Sequence, residues 1–199
     1  MVPTSDIAIC NLALSHLGQS PIVALNEANE SARQLSRIYD ITKDTVLRGK
    51  DWRFASVKAP LAEVSGQEIP GWAYIYAYPV KCLCIRKIFY DAESQDPKPI
   101  EFETLFIPVI NQKVIATNYA DAYIAYTYQV IDPVLFDMSF VMAFSFLLAA
   151  QVGKPLTGND DIAKLMLQLY GSLISDAGRI NDIERYIKPN QTSSFEDVR

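Results

Sequence analysis

A chain of 199 residues, half of them hydrophobic and 21% charged, has the composition of one globular core with room for an insertion, not of a disordered segment. The net charge of −5 and a pI near 4.9 argue against a large sequence-independent DNA-binding face, which needs clustered cations to displace counterions from phosphates. An acidic surface does suit a passage that DNA slides through without sticking. The three cysteines, Cys10, Cys82 and Cys84, are odd in number and imply no disulfide framework.

The segment Met1–Asp6 carries neither a basic stretch nor a long apolar run, so no signal peptide is expected. A first helix is expected over Ser5–Leu17, capped by Thr4 or Ser5 and stopped by Gly18. Its apolar residues go nearly all round, as in a helix buried among others. A loop with Pro21 follows. Ser31-Ala32-Arg33-Gln34 has the form of a capping box opening a second helix, with Leu35, Ile38, Tyr39 and Val46 as its apolar stripe and Gly49 as its end. Asp44 and Arg48 are spaced as an i,i+4 ion pair.

From about residue 52 to 131 the character changes. Prolines at 60, 70, 79, 97, 99 and 108 forbid long helices. Between them lie runs with β character: Ala73–Tyr78, which places three tyrosines on one face, then Cys82–Tyr90, Lys113–Asn118 and Asp121–Ile131. The helical pattern returns at Asp132, read as the cap of a third helix with Pro133 at its first position, ending at Val152 before Gly153 and Pro155. Within it, Phe140–Val152 is free of charge but shorter than the roughly 20 apolar residues of a membrane span, so a buried helix is expected. Thr157 or Asn159 opens a fourth helix, whose apolar face is Ile162, Leu165, Met166, Leu169, Leu173, Ala177 and Ile180.

The expected fold is therefore α+β. A four-helix core is formed by residues 1–51 and 132–187, and a β-rich insertion at 52–131 forms a small antiparallel sheet or barrel. Residues 188–199 make a flexible polar tail.

Chemistry is sparse. His16 is the single histidine, and it lies inside an apolar helix near no marked nucleophile. Gly153-Lys154-Pro155-Leu156-Thr157 has some likeness to a phosphate loop, but it lacks the upstream glycine and Pro155 removes an amide donor, so a helix–helix turn is expected. Strand alternation would put Cys82 and Cys84 on one face, but no second Cys or His pair completes a zinc set. The sequence thus nominates no catalytic, cofactor or metal residue, and a non-enzymatic protein is expected. One cluster stands out: Arg48, Lys50, Arg53 and Lys58 around Trp52 and Phe54, either a contact for an acidic partner or for passing DNA, or cations completing a helix C-terminus with the aromatics on the core edge. The tail, ending with Phe195 among polar residues, reads either as a docking peptide or as a frayed end.

The stretch Asn11-Leu12-Ala13-Leu14-Ser15-His16-Leu17-Gly18-Gln19-Ser20-Pro21-Ile22 resembles the opening of the tail tubular protein A family of short-tailed bacteriophages. Leu47-Arg48-Gly49-Lys50-Asp51-Trp52-Arg53-Phe54 is similar to the segment that closes that family's second helix. The order of elements matches as well, with a β-rich middle containing Tyr78-Pro79-Val80-Lys81-Cys82-Leu83 and two long helices after it. The resemblance implies a structural virion protein at the head–tail junction, in the host cytoplasm before assembly. It would be a subunit of a self-associated ring, usually twelvefold, beneath the portal protein, with a tail nozzle protein below and viral DNA passing through without sequence-specific recognition or any membrane contact. It implies no catalytic residue and no cofactor. With the cluster above, it nominates Arg48, Lys50, Trp52, Arg53, Tyr186 and Phe195 as partner contacts. Two other readings are a head-completion protein of another phage type and a small cytoplasmic ligand-binding protein or enzyme with a pocket between its lobes.

Overall fold

A computed structural model of the chain describes residues 5–91 and 97–183, with residues 176–183 as backbone only. It has α1 (Asp6–His16) and α2 (Glu30–Gly49), then six strands, β1 (Ser56–Pro60), β2 (Tyr74–Ala77), β3 (Cys82–Phe89), β4 (Glu103–Ile107), β5 (Gln112–Thr117) and β6 (Tyr123–Tyr128), and finally α3 (Met138–Thr157) and α4 (Asp160–Ile183). The class is α+β with a four-helix set, as the hydrophobic periodicity implies. The β region forms two separate three-stranded antiparallel sheets, in orders β1-β6-β3 and β2-β5-β4, and no closed barrel.

The helix starts follow side-chain capping. Ser5 accepts from the Ala8 amide at α1, as expected. At α2 the cap is Asn29, which accepts from Ala32, so the helix begins before the Ser31 box. Asn29 is as good a cap as serine, and it is held in turn by Glu27. Asp132 caps only a single 3-10 turn, Pro133–Leu135; the cap of α3 is Asp137, which accepts from Phe140. At its other end α3 does not stop at Val152. It runs through Gly153 and Pro155 to a left-handed Gly158, whose amide returns to the Lys154 carbonyl. The apparent stop signal is instead a packing device: at Gly153 the backbone comes so close to α4 that an added Cβ would lie 3.4 Å from the Ala163 Cβ. The supposed phosphate loop is thus helix rather than a turn.

The central helix is α3, against which α1, α2 and α4 all pack. At 20 residues it is long and apolar enough to cross a membrane, yet Phe140, Phe144 and Leu148 are fully buried within the protein. Around it lie Ile9 and Leu14 of α1, Leu35, Val46 and Leu47 of α2, and the ring of Trp52, edge-on to Phe140 at 5.3 Å. A second core lies in the β region around Tyr76, Ile88, Ile115, Ile124 and Tyr126. Tyr74, Tyr76 and Tyr78 all join it, as strict alternation requires.

On α4 the packed line is Ile162, Met166, Tyr170 and Ile174. Leu165 and Leu169, expected on the apolar face, are 49% and 37% exposed, and Leu167 is exposed as well. The apolar arc of this helix is wider than α3 can cover, and its rims face outward. Ala177 and Ile180 lie where side chains are not described.

Candidate functional site

Sheet β1-β6-β3 buries one face against the second core; on its outer face Phe89, Ala125 and Thr127 are buried and Lys58 stands exposed. Residues opposite each other on paired strands share a face, so Lys58 of β1, Ala125 of β6 and Lys87 of β3 form one row across the outer face. Alternation alone would put Arg86 on the opposite side from Lys87. A register shift between Ile85 and Lys87 removes that constraint, and the bulge lets two consecutive cations serve the same face. Ser56 lies further along β1, and Asp51 and Arg53 come from the segment after α2. Asp51, Arg53, Ser56, Lys58, Arg86, Lys87 and Ala125 together line an open trough of about 510 Å³. Among the described residues, the lining sets four cations against one carboxylate in a chain whose net charge is −5.

Arg86 holds this arrangement to the helical core. Its Nε donates to Thr127 Oγ1 at 2.8 Å, and its Nη2 donates to the carbonyls of Arg48 at 3.0 Å and of Lys50. The guanidinium therefore sits on the C-terminus of α2, where backbone carbonyls have no helical partner and a cation is favoured. Those carbonyls are neutral, and the charge is countered in part by Asp51, whose carboxylate forms an ion pair with Nε at 4.0 Å. The Lys87 ammonium reaches the Pro97 carbonyl at 3.2 Å. Lys58 is exposed on its strand. A surface of this kind attracts oxyanions through its cationic heads, while the aliphatic stems of the same side chains and the Ala125 methyl line its floor.

The residues nominated from sequence separate into different roles. Arg53 lines the trough. Lys50 instead donates to the Ile174 carbonyl at 2.9 Å, tying α2 to α4, and its ammonium lies 5.9 Å from the centre of the Trp52 ring. Trp52 is fully buried and donates to the Val46 carbonyl at 2.8 Å, so its ring belongs to the core and is not a contact surface. Arg48 is exposed outside the trough lining. Its expected pairing with Asp44 is replaced, because Asp44 accepts from Gln129 of the β6 end at 2.7 Å. Tyr186 and Phe195 lie outside the described residues. Sequence reasoning does not single out Arg86 and Lys87. Two adjacent cations inside the apolar run Cys82–Phe89 break strand alternation, and that is the available signal for both the bulge and the site.

Two other constellations resolve into structure. His16 Nε2 lies 3.1 Å from the buried Ser145 Oγ, and the ring stacks on Phe146 at 4.4 Å. Ser145 has one proton, and it goes to the Met142 carbonyl at 2.8 Å, so both contacts are satisfied together only when Nε2 carries the imidazole proton and donates. A base must accept from its nucleophile, and this ring donates to the serine. Burial also pushes the His16 pKa below its ordinary value. Cys82 and Cys84 pair with the adjacent residues Tyr128 and Thr127 across a second register shift, so the expected shared face is lost. Burial raises the pKa of Cys82 and takes that of Cys10 to about 12, which keeps both as thiols. Among the described residues no three His, Cys, Asp or Glu side chains come together in a way that could hold a metal ion.

No protein family is matched by the sequence, and no curated protein matches it significantly.

Proposed function

We propose that this chain is a structural subunit of a phage head-to-tail adaptor ring, placed between a portal protein and a tail nozzle protein around the DNA path. The Asn11–Phe54 resemblance supports this reading, and the helix–sheet–helix layout is consistent with it. The single observation that carries the assembly part is the apolar surface the helices leave uncovered. Leu165, Leu167 and Leu169 project from the rims of α4. Val134 and Met138, each 69% exposed, project with Leu135 from the entry to α3. A ring closes through a heterologous contact, in which one patch of each subunit meets a different patch of the next, and the exposed apolar side chains of α4 and of the α3 entry are the surfaces this reading assigns to it. Eleven tyrosines fit the same use, since tyrosine is enriched at interfaces.

The test mixes the purified chain with portal protein and follows assembly by sedimentation velocity and electron microscopy. Rings seated on the portal support the proposal. A chain that binds neither portal nor nozzle protein under any assembly condition refutes it.

A further inference from the structure

The trough on the outer face of β1-β6-β3 is not used by that assembly reading and stands apart from it, because a single chain carries every residue of the site. We infer that this trough binds the phosphate groups of a nucleic-acid backbone.

Three features point to that ligand. The first is how the cations are built. Lys58 and Lys87 flank Ala125 from the two neighbouring strands, so their Cα atoms stand about 10 Å apart, twice the interstrand spacing, over a floor with no side chain beyond a methyl. Two ammonium groups on long stems can close on one oxyanion in that gap, or on two successive phosphates. The second is the fixed end of the trough. The Arg86 guanidinium is locked by Thr127 and the α2 carbonyls, and Arg53 stands beside it in the lining, so one wall is pre-organised while the lysines adapt. The third is what the lining omits. Apart from Ala125 its residues are polar or charged, and the aromatic pair beside Lys87 on that face, Phe89 with Tyr123, stacks on itself at 5.8 Å with Phe89 buried. The ligand it suits presents charge and little else, which describes a phosphodiester backbone read without sequence. A local trough of this size is compatible with the overall acidity: the surrounding negative surface confines binding to one groove and keeps it weak and salt-sensitive.

The experiment titrates the full chain into a fluorescently labelled DNA oligonucleotide at several salt concentrations, reading anisotropy. The expected result is binding that weakens steeply with salt. Lys58→Glu combined with Lys87→Glu should weaken it at least about tenfold and lower the slope of log affinity against log salt by about one for each phosphate no longer neutralised. Lys154→Glu combined with Lys164→Glu changes the net charge equally on α3 and α4 and should leave affinity within about twofold, since the effect of a distant exposed charge is screened. Both pairs are exposed or at the trough surface, and circular dichroism with urea unfolding reports whether each variant folds. If the charge-matched control weakens binding as much as the trough pair, the site assignment fails. It fails equally if the wild-type chain binds no DNA. Competition by poly-glutamate as effective as that by unlabelled DNA would make the partner an acidic polypeptide and overturn the inference. So would protection of the chain by inorganic phosphate without any DNA binding.

Discussion

Replacing Arg86 by methionine keeps the aliphatic stem and removes the fork that joins β3 to the end of α2. The loss comprises the bond to Thr127 at 2.8 Å, the bond to the Arg48 carbonyl at 3.0 Å, and the shared contact with the Lys50 carbonyl. Hydrogen bonds from a charged donor contribute about 1.5–3 kcal/mol each when shielded from water. The Arg86 side chain keeps 21% of its exposure, so water can rehydrate part of the helix end, and the lower figure applies. Two good bonds then give about 3 kcal/mol, which for a chain of this size lowers the melting temperature by about 6–12 °C. Arg86→Lys should recover part of this, because an ammonium can reach either the helix end or Thr127 but cannot reproduce the planar fork. Urea unfolding followed by circular dichroism measures the change, with an unchanged m-value marking a pure stability effect. A loss under about 1 kcal/mol for Arg86→Met would show that these contacts are exchanged freely for water and that the guanidinium does not staple the sheet to the helices.

Three further outcomes follow from other parts of the fold. Burial lowers the pKa of His16, so the neutral ring is favoured in the folded state: stability is full above the ordinary value of 6.5, falls as pH drops through it, and levels off below the folded-state pKa. Urea midpoints at pH 7.5 and 5.5 should therefore differ in the wild type and converge in His16→Gln; equal slopes in the two proteins would contradict this. At Gly153, alanine should leave stability within about 0.5 kcal/mol, because its helix propensity offsets a Cβ placed 3.4 Å from Ala163, whereas valine should cost at least about 2 kcal/mol by forcing α3 and α4 apart. Thermal unfolding of the pair of variants separates propensity from packing. On α4, Leu165→Glu with Leu169→Glu should block ring formation on the portal while changing stability by less than about 0.5 kcal/mol each, since neither side chain is buried; rings that persist in this variant would move the subunit contact elsewhere.

The elements with strong periodicity can be read from the chain because their burial is one-sided. The Tyr74–Tyr76–Tyr78 alternation and the α1 and α4 starts all appear where local pattern places them. Strands β1 and β4 are not visible in the sequence. Both are edge strands of five residues with mostly exposed side chains, so hydrophobic alternation scarcely marks them, and β1 also ends at Pro60. The division into two sheets is equally hidden, because which strands pair is decided by tertiary register and not by composition. Gly153 misleads for a definite reason: a glycine after an apolar run reads as a stop when the actual requirement is room for Ala163 on the next helix. The same limit applies to the candidate site. The sequence shows the cations after α2 as one linear cluster, but the fold sends Lys50 to α4 and Trp52 into the core, and brings Arg53 and Lys58 to Arg86 and Lys87 from more than 25 residues away.

One of these cations, Arg86, also helps to hold the two cores together. Three polar links join the helices to one another and to the outer face of the sheet: Lys50 to the Ile174 carbonyl, Asp44 to Gln129, and Arg86 to the end of α2. The apolar contact beneath them is modest, with Leu83 and Tyr128 packed against the helical core. Apolar contact alone tolerates sliding, whereas a guanidinium fork and a carboxylate–amide pair fix direction. The position of the trough relative to α2 is therefore set by the same bonds that hold the sheet to the helices. Weakening Arg86 should both lower stability and loosen the wall of the trough. The Lys58 and Lys87 substitutions should weaken binding and leave stability nearly intact, because Lys58 stands exposed on an edge strand and Lys87 reaches the Pro97 carbonyl rather than the helix end. If Arg86→Met lowered stability but left DNA affinity untouched, the wall would be shown to be structural only, and the lysine pair would carry the site.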